Sequence, residues 1–370
     1  MSRRSEYLAA LRREPTQTLT WAPNFDHWLA VNRANDTVPE EYRGMSGNEI
    51  IRAVGGTIWR RVTIVHAELD PSVTIDTESP REDVLITNYR TPVGDLRTVE
   101  YQAPDSSHTW FLKEHRVKSV EDLEPLRYLY EATQYHLDTR EYEREAVEVG
   151  EDGIVLTCLP PVPFIAFAKT EVGYERAYYL MLDYPKETEA VIAAMWETHL
   201  RAYRLAAQGP CEVVSNGDNM DQWTCPPSYF KRYAAPFYQE VRKILHAGGK
   251  LAQGHWCGRT DQLIPLMPTC GLDIIEAMVS KPMSETDMAV AMRELEGKVT
   301  VQGGLPSIYM CEEGCTRDEL VRYVEDLLDE IGNCTGFVLG MADNVPSNAD
   351  FPRVKMVSEV VEAFNMRRGR

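Results

Sequence analysis

The sequence predicts an α/β fold in which parallel strands and helices form a TIM (β/α)8 barrel. After residue 138, long amphipathic helical stretches alternate with short apolar runs, which is the pattern of consecutive βα units. Polar residues follow nearly every apolar run, as expected where the carboxyl ends of barrel strands meet at one mouth. An open doubly wound sheet is the alternative architecture, but it would concentrate its ligands at a single switch point.

The composition indicates one elaborated globular domain spanning residues 1–370. The chain is 44% hydrophobic and 26% charged, which provides enough apolar side chain for a large core. Its net charge of −18 argues against nonspecific binding to nucleic acid or to anionic membranes. The amino terminus is charged, no apolar stretch is long enough to span a bilayer, and the cysteines are scattered. We therefore expect a cytoplasmic protein whose cysteines are free thiols or metal ligands.

The amino-terminal part of the chain has a different pattern from the rest. An early run, Leu19-Thr-Trp-Ala, predicts a first strand, and residues 62–117 are rich in β-branched and aromatic residues interrupted by turn signals. We interpret 62–117 as a β-meander inserted into the barrel. Helices are predicted over 186–208 and 227–247, and residues 150–370 supply most of the barrel and its site. Six apolar runs predict further strands: 153–158, 211–216, 250–255, 272–277, 299–304 and 336–341.

Polar side chains stand where the predicted strands end. In a barrel these side chains would converge on one mouth and could form a site. The alternative is that strands end in polar residues only because loops begin there. The residues concerned are Asn24, Asp26, His27, Asp218, Asn219, His255, Cys257, Glu276, Gln302, Asp343 and Asn344.

The segment Gly254-His-Trp-Cys-Gly carries the strongest chemical signal. His255 and Cys257 are two residues apart, so on an extended strand both side chains point the same way. Imidazole and thiolate are favoured zinc ligands, and a catalytic zinc usually takes three protein ligands. Asp343, Glu276 and Cys334 are candidates for the third position, although Cys334 precedes its strand and would lie at the other end of the barrel. Glu276 could equally support a ligand or act as a general acid.

Several motifs in series resemble the uroporphyrinogen decarboxylase superfamily. The family has a Gly-Asp-Asp-type strand end followed by a Ser-Pro-x-x-Tyr helix start, and later strands follow here in family order. The resemblance covers residues from about 153 to the carboxyl terminus. Its motifs are Asn216-Gly-Asp-Asn-Met, Cys225-Pro-Pro-Ser-Tyr-Phe, Ala235-Pro-Phe-Tyr, Leu251-Ala-Gln-Gly-His-Trp-Cys-Gly, Gly271-Leu-Asp-Ile-Ile-Glu, Val301-Gln-Gly-Gly-Leu-Pro and Phe337-Val-Leu-Gly-Met-Ala-Asp-Asn-Val-Pro.

The departures from the family pattern narrow the expected function. True decarboxylases carry an arginine-rich loop for substrate carboxylates, but this chain has Trp21-Ala-Pro-Asn-Phe-Asp-His-Trp there, and Arg60 and Arg61 alone are thin support. The His-x-Cys pair resembles the zinc half-site of the methyltransferase branch. That branch completes its zinc site with a cysteine, whereas this chain has Asp343 at the corresponding position. A carboxylate ligand makes the metal harder and suits polarising a substrate oxygen.

The resemblance therefore implies a zinc-dependent methyltransferase similar to corrinoid-linked O-demethylases. It would move a methyl group from a small methylated substrate to a corrinoid (cobalamin), either free or on a carrier protein, and it would form a homodimer. A methyltransferase working from methyl-corrinoid to a thiol or pterin, a decarboxylase-like lyase and a non-catalytic binding barrel are the alternatives. The residues assigned on this reading are His255, Cys257 and Asp343 to the metal, Glu276, Asp218 and His27 to catalysis, and Asn24, Asn219, Gln302 and Asn344 to substrate or cofactor.

Overall fold

The computed structural model describes residues 1–102 and 109–368; residues 103–108, in the predicted meander, lie outside the described residues. The strands are β1 (Trp21–Ala22), β2 (Ile58–Val62), β3 (Val65–Leu69), β4 (Thr74–Arg81), β5 (Val84–Thr91), β6 (Gly94–Gln102), β7 (Trp110–Glu114), β8 (Thr133–Leu137), β9 (Gly153–Leu159), β10 (Val213–Asn216), β11 (Leu251–His255), β12 (Ile274–Met278), β13 (Thr300–Leu305) and β14 (Phe337–Met341).

The α-helices surround these strands and close one end of the barrel. They are α1 (Arg3–Leu11), α2 (Asp26–Ala34), α3 (Gly47–Ala53), α4 (Leu123–Glu131), α5 (Arg140–Val149), α6 (Pro163–Ala166), α7 (Tyr174–Asp183), α8 (Pro185–Ala206), α9 (Pro227–Tyr229), α10 (Ala235–Ala247), α11 (Met288–Leu295), α12 (Arg317–Ile331) and α13 (Pro352–Arg368). No helix among the described residues is long and apolar enough to cross a membrane.

Eight parallel strands form the barrel, in the order β1-β14-β13-β12-β11-β10-β9-β2. The two end strands approach each other where the Thr57 N–H donates to the Trp21 carbonyl oxygen over 2.8 Å, so the barrel is nearly closed. The TIM-barrel prediction is confirmed, and each of the six predicted apolar runs overlaps a barrel strand. The sequence did not reveal β2, because its alternation is interrupted by the adjacent charges of Arg60 and Arg61.

Helix α1 closes the amino-terminal end of the barrel. Its Tyr7, Leu8 and Leu11 are buried against side chains that point inward from the strands. Because these inward residues belong mainly to the first half of each strand, apolar packing fills the lower barrel and leaves the upper half to polar groups. The inward partners are Ala22, Trp59, Ile154, Leu156, Val213, Ile274 and Val338.

The β-rich segment forms two small antiparallel sheets beside the barrel. Strands β4 to β7 pair in sequence order as a four-stranded meander, and β3 pairs with β8. A buried ion pair joins this region to the π-helical turn Phe167–Val172 that continues α6, because Arg116 Nη1 lies 2.7 Å from each carboxylate oxygen of Glu171. Glu171 is only 2% exposed, and its carbonyl oxygen also accepts the Val117 N–H.

The predicted helix at 227–247 is one continuous helical segment with a π-helical turn at Phe230–Ala234 between α9 and α10. The rings of Phe230 and Tyr238 pack against Trp256, with centroids 5.5 and 6.2 Å away. Such π-turns are frequent at functional sites. Here the turn supplies a wall of aromatic residues behind the end of β11.

Candidate active site

The end of β11 points two metal-binding side chains into the barrel mouth. His255 is the last residue of the strand and Cys257 follows two positions later, and both are half-buried. Trp256 between them is fully buried in the opposite direction, and its backbone N–H donates to the Glu276 carbonyl oxygen over 2.8 Å. Packing of one large apolar side chain therefore fixes the direction of the two polar neighbours.

Glu276 on β12 orients the imidazole of His255. Its Oε2 lies 2.5 Å from Nδ1 of His255, and the carboxylate is 2% exposed. Because a carboxylate only accepts, Nδ1 carries a proton in this contact, and Nε2 faces away from Glu276 toward another partner. Burial opposes a charged imidazole, but the charge of Glu276 and the contact with Cys257 outweigh it and hold the pKa of His255 well above its ordinary value.

A bulge in β12 sets the position of Glu276. The pairing with β13 shifts between Glu276 and Met278, and the intervening Ala277 has a φ of 65°. The partner Gly303 makes this approach possible, because a Cβ there would lie 2.6 Å from the Met278 nitrogen. Bulges of this kind commonly re-aim a side chain beside a site.

Asp343 completes the cluster from the loop after β14. Its Oδ1 lies 3.7 Å from Nε2 of His255 and accepts an N–H from the Asn344 side chain over 2.8 Å. Its backbone adopts a φ of 85°, which is uncommon for a residue other than glycine. The Asn24 side chain stabilises this loop by donating to the Asp343 carbonyl oxygen over 3.3 Å.

The donor set fits a zinc ion. One atom each from His255, Cys257 and Asp343 lies within 4.8 Å of the others. Tetrahedral zinc with bonds of about 2.0–2.3 Å requires ligand atoms roughly 3.3–3.8 Å apart, so small side-chain rotations would allow all three to share a metal. All three residues are half-buried, so a metal that they held would be accessible to a further ligand from the mouth. Such a three-ligand set is the arrangement of a catalytic site rather than a structural one.

Asp218 lies below this cluster with its side chain completely buried. Its carboxylate accepts the Val162 N–H over 2.7 Å and the Tyr238 hydroxyl. Burial raises the pKa of Asp218 to about 6, against the lowering effect of these hydrogen bonds. Asp218 therefore connects the loop after β9 to α10 and does not reach the open mouth.

The remaining predicted residues divide between the interior and the rim. Gln302 is buried and accepts the Tyr7 hydroxyl over 2.7 Å, which connects the site to α1. His27 and Asn219 are exposed at the rim. Cys334 lies between α11 and α12, outside the cluster, as its position before β14 predicted.

A scan against known protein families decides the assignment. Residues 95–364, more than half of the chain, match the family model of uroporphyrinogen decarboxylase (URO-D). The chain belongs to the uroporphyrinogen decarboxylase family. The match extends from the β-meander to α13, so it includes the cluster and most of the barrel.

The solved structure of a methyltransferase agrees with the fold of this family member. The structure is similar to a methyltransferase from Methanosarcina mazei, with 11% identity, a TM-score of 0.62, and coverage of 98% of this chain and 99% of that one. A D-psicose 3-epimerase from Clostridium cellulolyticum H10 matches at 12% identity and a TM-score of 0.36, covering 67% of this chain and 87% of that chain. At 11% identity the likeness to the methyltransferase shows the fold alone. A search of curated protein sequences finds no match.

The uroporphyrinogen decarboxylase family member has further interior residues that the sequence did not single out as site residues. Cys158 on β9 is half-buried and close enough to His255, Glu276 and Arg61 for their charges to act on its thiol, while burial raises its pKa. Ser215 on β10 contacts the same thiol. Only the alternation of inward-facing side chains along β9 and β10 could have identified Cys158 and Ser215, because both residues lie within a strand and not in a motif after its end.

Proposed function

We propose that this chain is a zinc-dependent methyltransferase that moves a methyl group from a small methyl donor to a corrinoid carried by a partner protein. The observation that carries this proposal is the cluster of His255, Cys257 and Asp343 at the mouth of a uroporphyrinogen decarboxylase-family barrel. The fold-level likeness to a methyltransferase along nearly the whole chain supports it. A cytoplasmic location and a homodimer are parts of the same proposal.

Each ligand would have a separate role in the reaction. A zinc ion held by these residues would act as a Lewis acid that withdraws charge from the oxygen of the methyl donor. The methyl group would pass to the corrinoid cobalt(I), while the oxygen keeps the electron pair of the carbon–oxygen bond and takes a proton from water. His255 presents Nε2 because Glu276 holds the proton on Nδ1. Asp343 supplies an oxygen ligand, which favours binding of an ether or similar oxygen donor over a thiolate substrate. Cys257 contributes the soft ligand that favours zinc over magnesium or calcium.

Other residues would position the metal ligands, the loops of the site or the substrate, and would not react themselves. Glu276 and Asp218 are buried and bonded to neighbouring groups, so we assign them to positioning His255 and the loop after β9. His27 and Asn219 at the rim are placed to meet the donor or the carrier protein. Asn24 and Asn344 would hold Asp343 in place, and Gln302 would contribute to the cavity floor.

Metal content tests the first part of this proposal. Protein purified under anaerobic conditions should contain close to one zinc per chain by mass spectrometry. His255→Ala, Cys257→Ala and Asp343→Ala should each lose most of it. Cys334→Ala is the matched control, because this half-buried cysteine lies outside the cluster and its loss should leave zinc unchanged. Native protein without zinc, or equal zinc in all variants, would contradict the proposal.

Methyl transfer tests the second part. Zinc-loaded protein is mixed with cob(I)alamin and a panel of methylated donors, and formation of methylcobalamin is followed by its absorption spectrum. Transfer that disappears in Cys257→Ala supports the proposed direction. Demethylation of methylcobalamin by a thiol or pterin, without the forward reaction, would instead support the alternative acceptor chemistry.

A further inference from the structure

The interior of the barrel contains a guanidinium group that the cluster does not use. Arg61 stands on β2, two residues after Trp59, and Trp59 packs inside the barrel against α1. Because side chains alternate along a strand, Arg61 points to the same interior face, one step closer to the mouth. Its guanidinium carbon lies 4.6 Å from the Trp59 ring centroid, which restricts its orientation.

The charge of Arg61 reaches the groups beside the cluster. It lowers the pKa of the Cys158 thiol, against a larger effect of burial, and the same thiol senses His255 and Glu276. It also acts on the Tyr7 phenol at the barrel floor. Arg61, Cys158 and the cluster therefore lie close to one another around the space inside the barrel mouth, here called the cavity. In the strand order, β2 lies three strands from β11, so the guanidinium approaches that cavity from the other side of the barrel.

Its neighbour Arg60 is engaged in the outer structure. Arg60 Nη1 lies 2.5 Å from Asp26 Oδ1, and its Nε donates to Asn48 Oδ1 over 2.5 Å. Arg61 is exposed to the cavity, and no carboxylate of the described residues lies within ion-pair distance of it. The two adjacent arginines thus differ in that Arg60 is held by a carboxylate and an amide, whereas Arg61 has its whole set of N–H donors left for a ligand.

An unpaired arginine is informative in this electrostatic setting. The chain has a net charge of −18, and the cavity wall already has the acidic side chains of Glu276 and Asp343. A guanidinium kept apart from them and supported by an aromatic ring presents a planar fork of donors, which matches the oxygen pair of a carboxylate. A neutral substrate would leave these donors to water alone.

We propose that Arg61 is a specificity-determining residue that binds a carboxylate group on the methyl donor, while the donor's methylated atom faces the His255, Cys257 and Asp343 cluster. The inference rests on the proposed function for the identity of the methyl donor. The anion site itself depends only on Arg61 and Trp59.

Direct binding tests the anion site. Three methoxy carboxylates of different length serve as probes, namely methoxyacetate, 3-methoxypropanoate and 4-methoxybenzoate, each compared by calorimetry with its primary amide. Zinc-loaded native protein should bind at least one carboxylate about tenfold or more tightly than the matching amide. Arg61→Gln should abolish that difference, and Arg61→Lys should keep part of it because the charge remains without the fork.

Arg60→Gln is the control, because it removes the same charge from the neighbouring position outside the cavity. It should keep the preference for the carboxylate, with thermal melting used to check that each variant is folded. No preference in the native protein, or one that Arg61→Gln leaves unchanged, overturns the inference.

Zinc content and methyl transfer to cob(I)alamin are measured on the same samples. If the protein prefers carboxylates through Arg61 but holds no zinc and transfers no methyl group, the anion site is retained and the proposed function is rejected. If the protein transfers methyl groups from the carboxylates and from the amides equally well, the proposed function is retained and the anion site is rejected.

Discussion

At the residue scale, one carboxylate decides which nitrogen of His255 is available. Glu276 is buried, and its Oε2 lies 2.5 Å from Nδ1 of His255, so that Nε2 of the same ring faces Asp343. The sequence could place His255, Cys257 and Asp343 together because each follows a strand. It could not decide whether Glu276 binds the metal, since its distance from the cluster depends on the bulge at Ala277.

The first prediction concerns this positioning residue. Glu276→Gln should lower zinc affinity about 10- to 100-fold, because an amide holds the Nδ1 proton less strongly than a carboxylate does. Zinc affinity is measured by competition with a coloured chelator. Glu212→Gln removes a carboxylate on the outer surface and should leave the affinity unchanged. Unaltered affinity in Glu276→Gln would show that the carboxylate does not support the site.

A second prediction concerns His199, which is fully buried in α8 with its Nδ1 2.8 Å from the Pro161 carbonyl oxygen. Burial lowers the pKa of His199 to about 4, against the raising effect of this hydrogen bond, so the unfolded chain takes up a proton first as pH falls. The contribution of neutral His199 to the free energy of unfolding is fully present above about pH 6.5 and is lost as the pH falls from there to about 4. Between pH 7 and pH 5, the proton uptake of His199 in the unfolded chain should lower the free energy of unfolding by about 2 kcal/mol.

Urea unfolding of native protein and His199→Gln at both pH values measures this effect. The variant should lose about 2 kcal/mol less between pH 7 and pH 5 than the native protein. The comparison removes the opposite contribution of Asp218, whose raised pKa of about 6 makes folding less favourable as pH rises through it. Parallel pH dependence in the two proteins would mean that His199 takes up its proton equally readily in the folded and unfolded states, which would contradict the lowered pKa.

At the element scale, β12 and β13 place the site through one irregular pairing. Gly303 opposes the bulge closely enough that any side chain would meet the Met278 backbone. The sequence predicted a strand over 299–304, which includes the Gly303-Gly304 pair, but the pairing register that requires a glycine at position 303 depends on a contact with another strand. Helix α1 was missed for a similar reason, since its function as the barrel floor comes from tertiary packing.

The third prediction tests the bulge. Gly303→Ala should destabilise the protein by roughly 1–3 kcal/mol, because its Cβ would lie 2.6 Å from the Met278 nitrogen. Zinc affinity should fall as well, since Glu276 would move with the bulge. Gly217→Ala, which meets no atom within 4 Å, is the matched control and should change neither quantity by much. Urea unfolding and chelator competition on both variants provide the measurement.

At the scale of the whole molecule, the barrel was predictable because its strands repeat as buried runs at regular spacing. The meander was predictable from its turns. The sequence could not show how the meander attaches to the barrel, because the attachment joins Arg116 to Glu171, which are far apart in the chain. That connection matters for the site, since Glu171 lies in the π-helical turn Phe167–Val172 that continues α6, and the loop before α6 contains Val162, whose N–H donates to Asp218.

The Arg116–Glu171 ion pair should couple the stability of the two parts. Arg116→Met should cost about 3–5 kcal/mol, because it leaves the carboxylate of Glu171, 2% exposed, without its charged partner. Adding Glu171→Gln removes that charge and keeps an acceptor for the Tyr130 hydroxyl, which lies 2.8 Å away, so the double variant should regain at least half of the loss. Urea unfolding of the native, single and double variants measures the coupling. Additive losses would mean that the buried pair contributes no specific connection between meander and barrel.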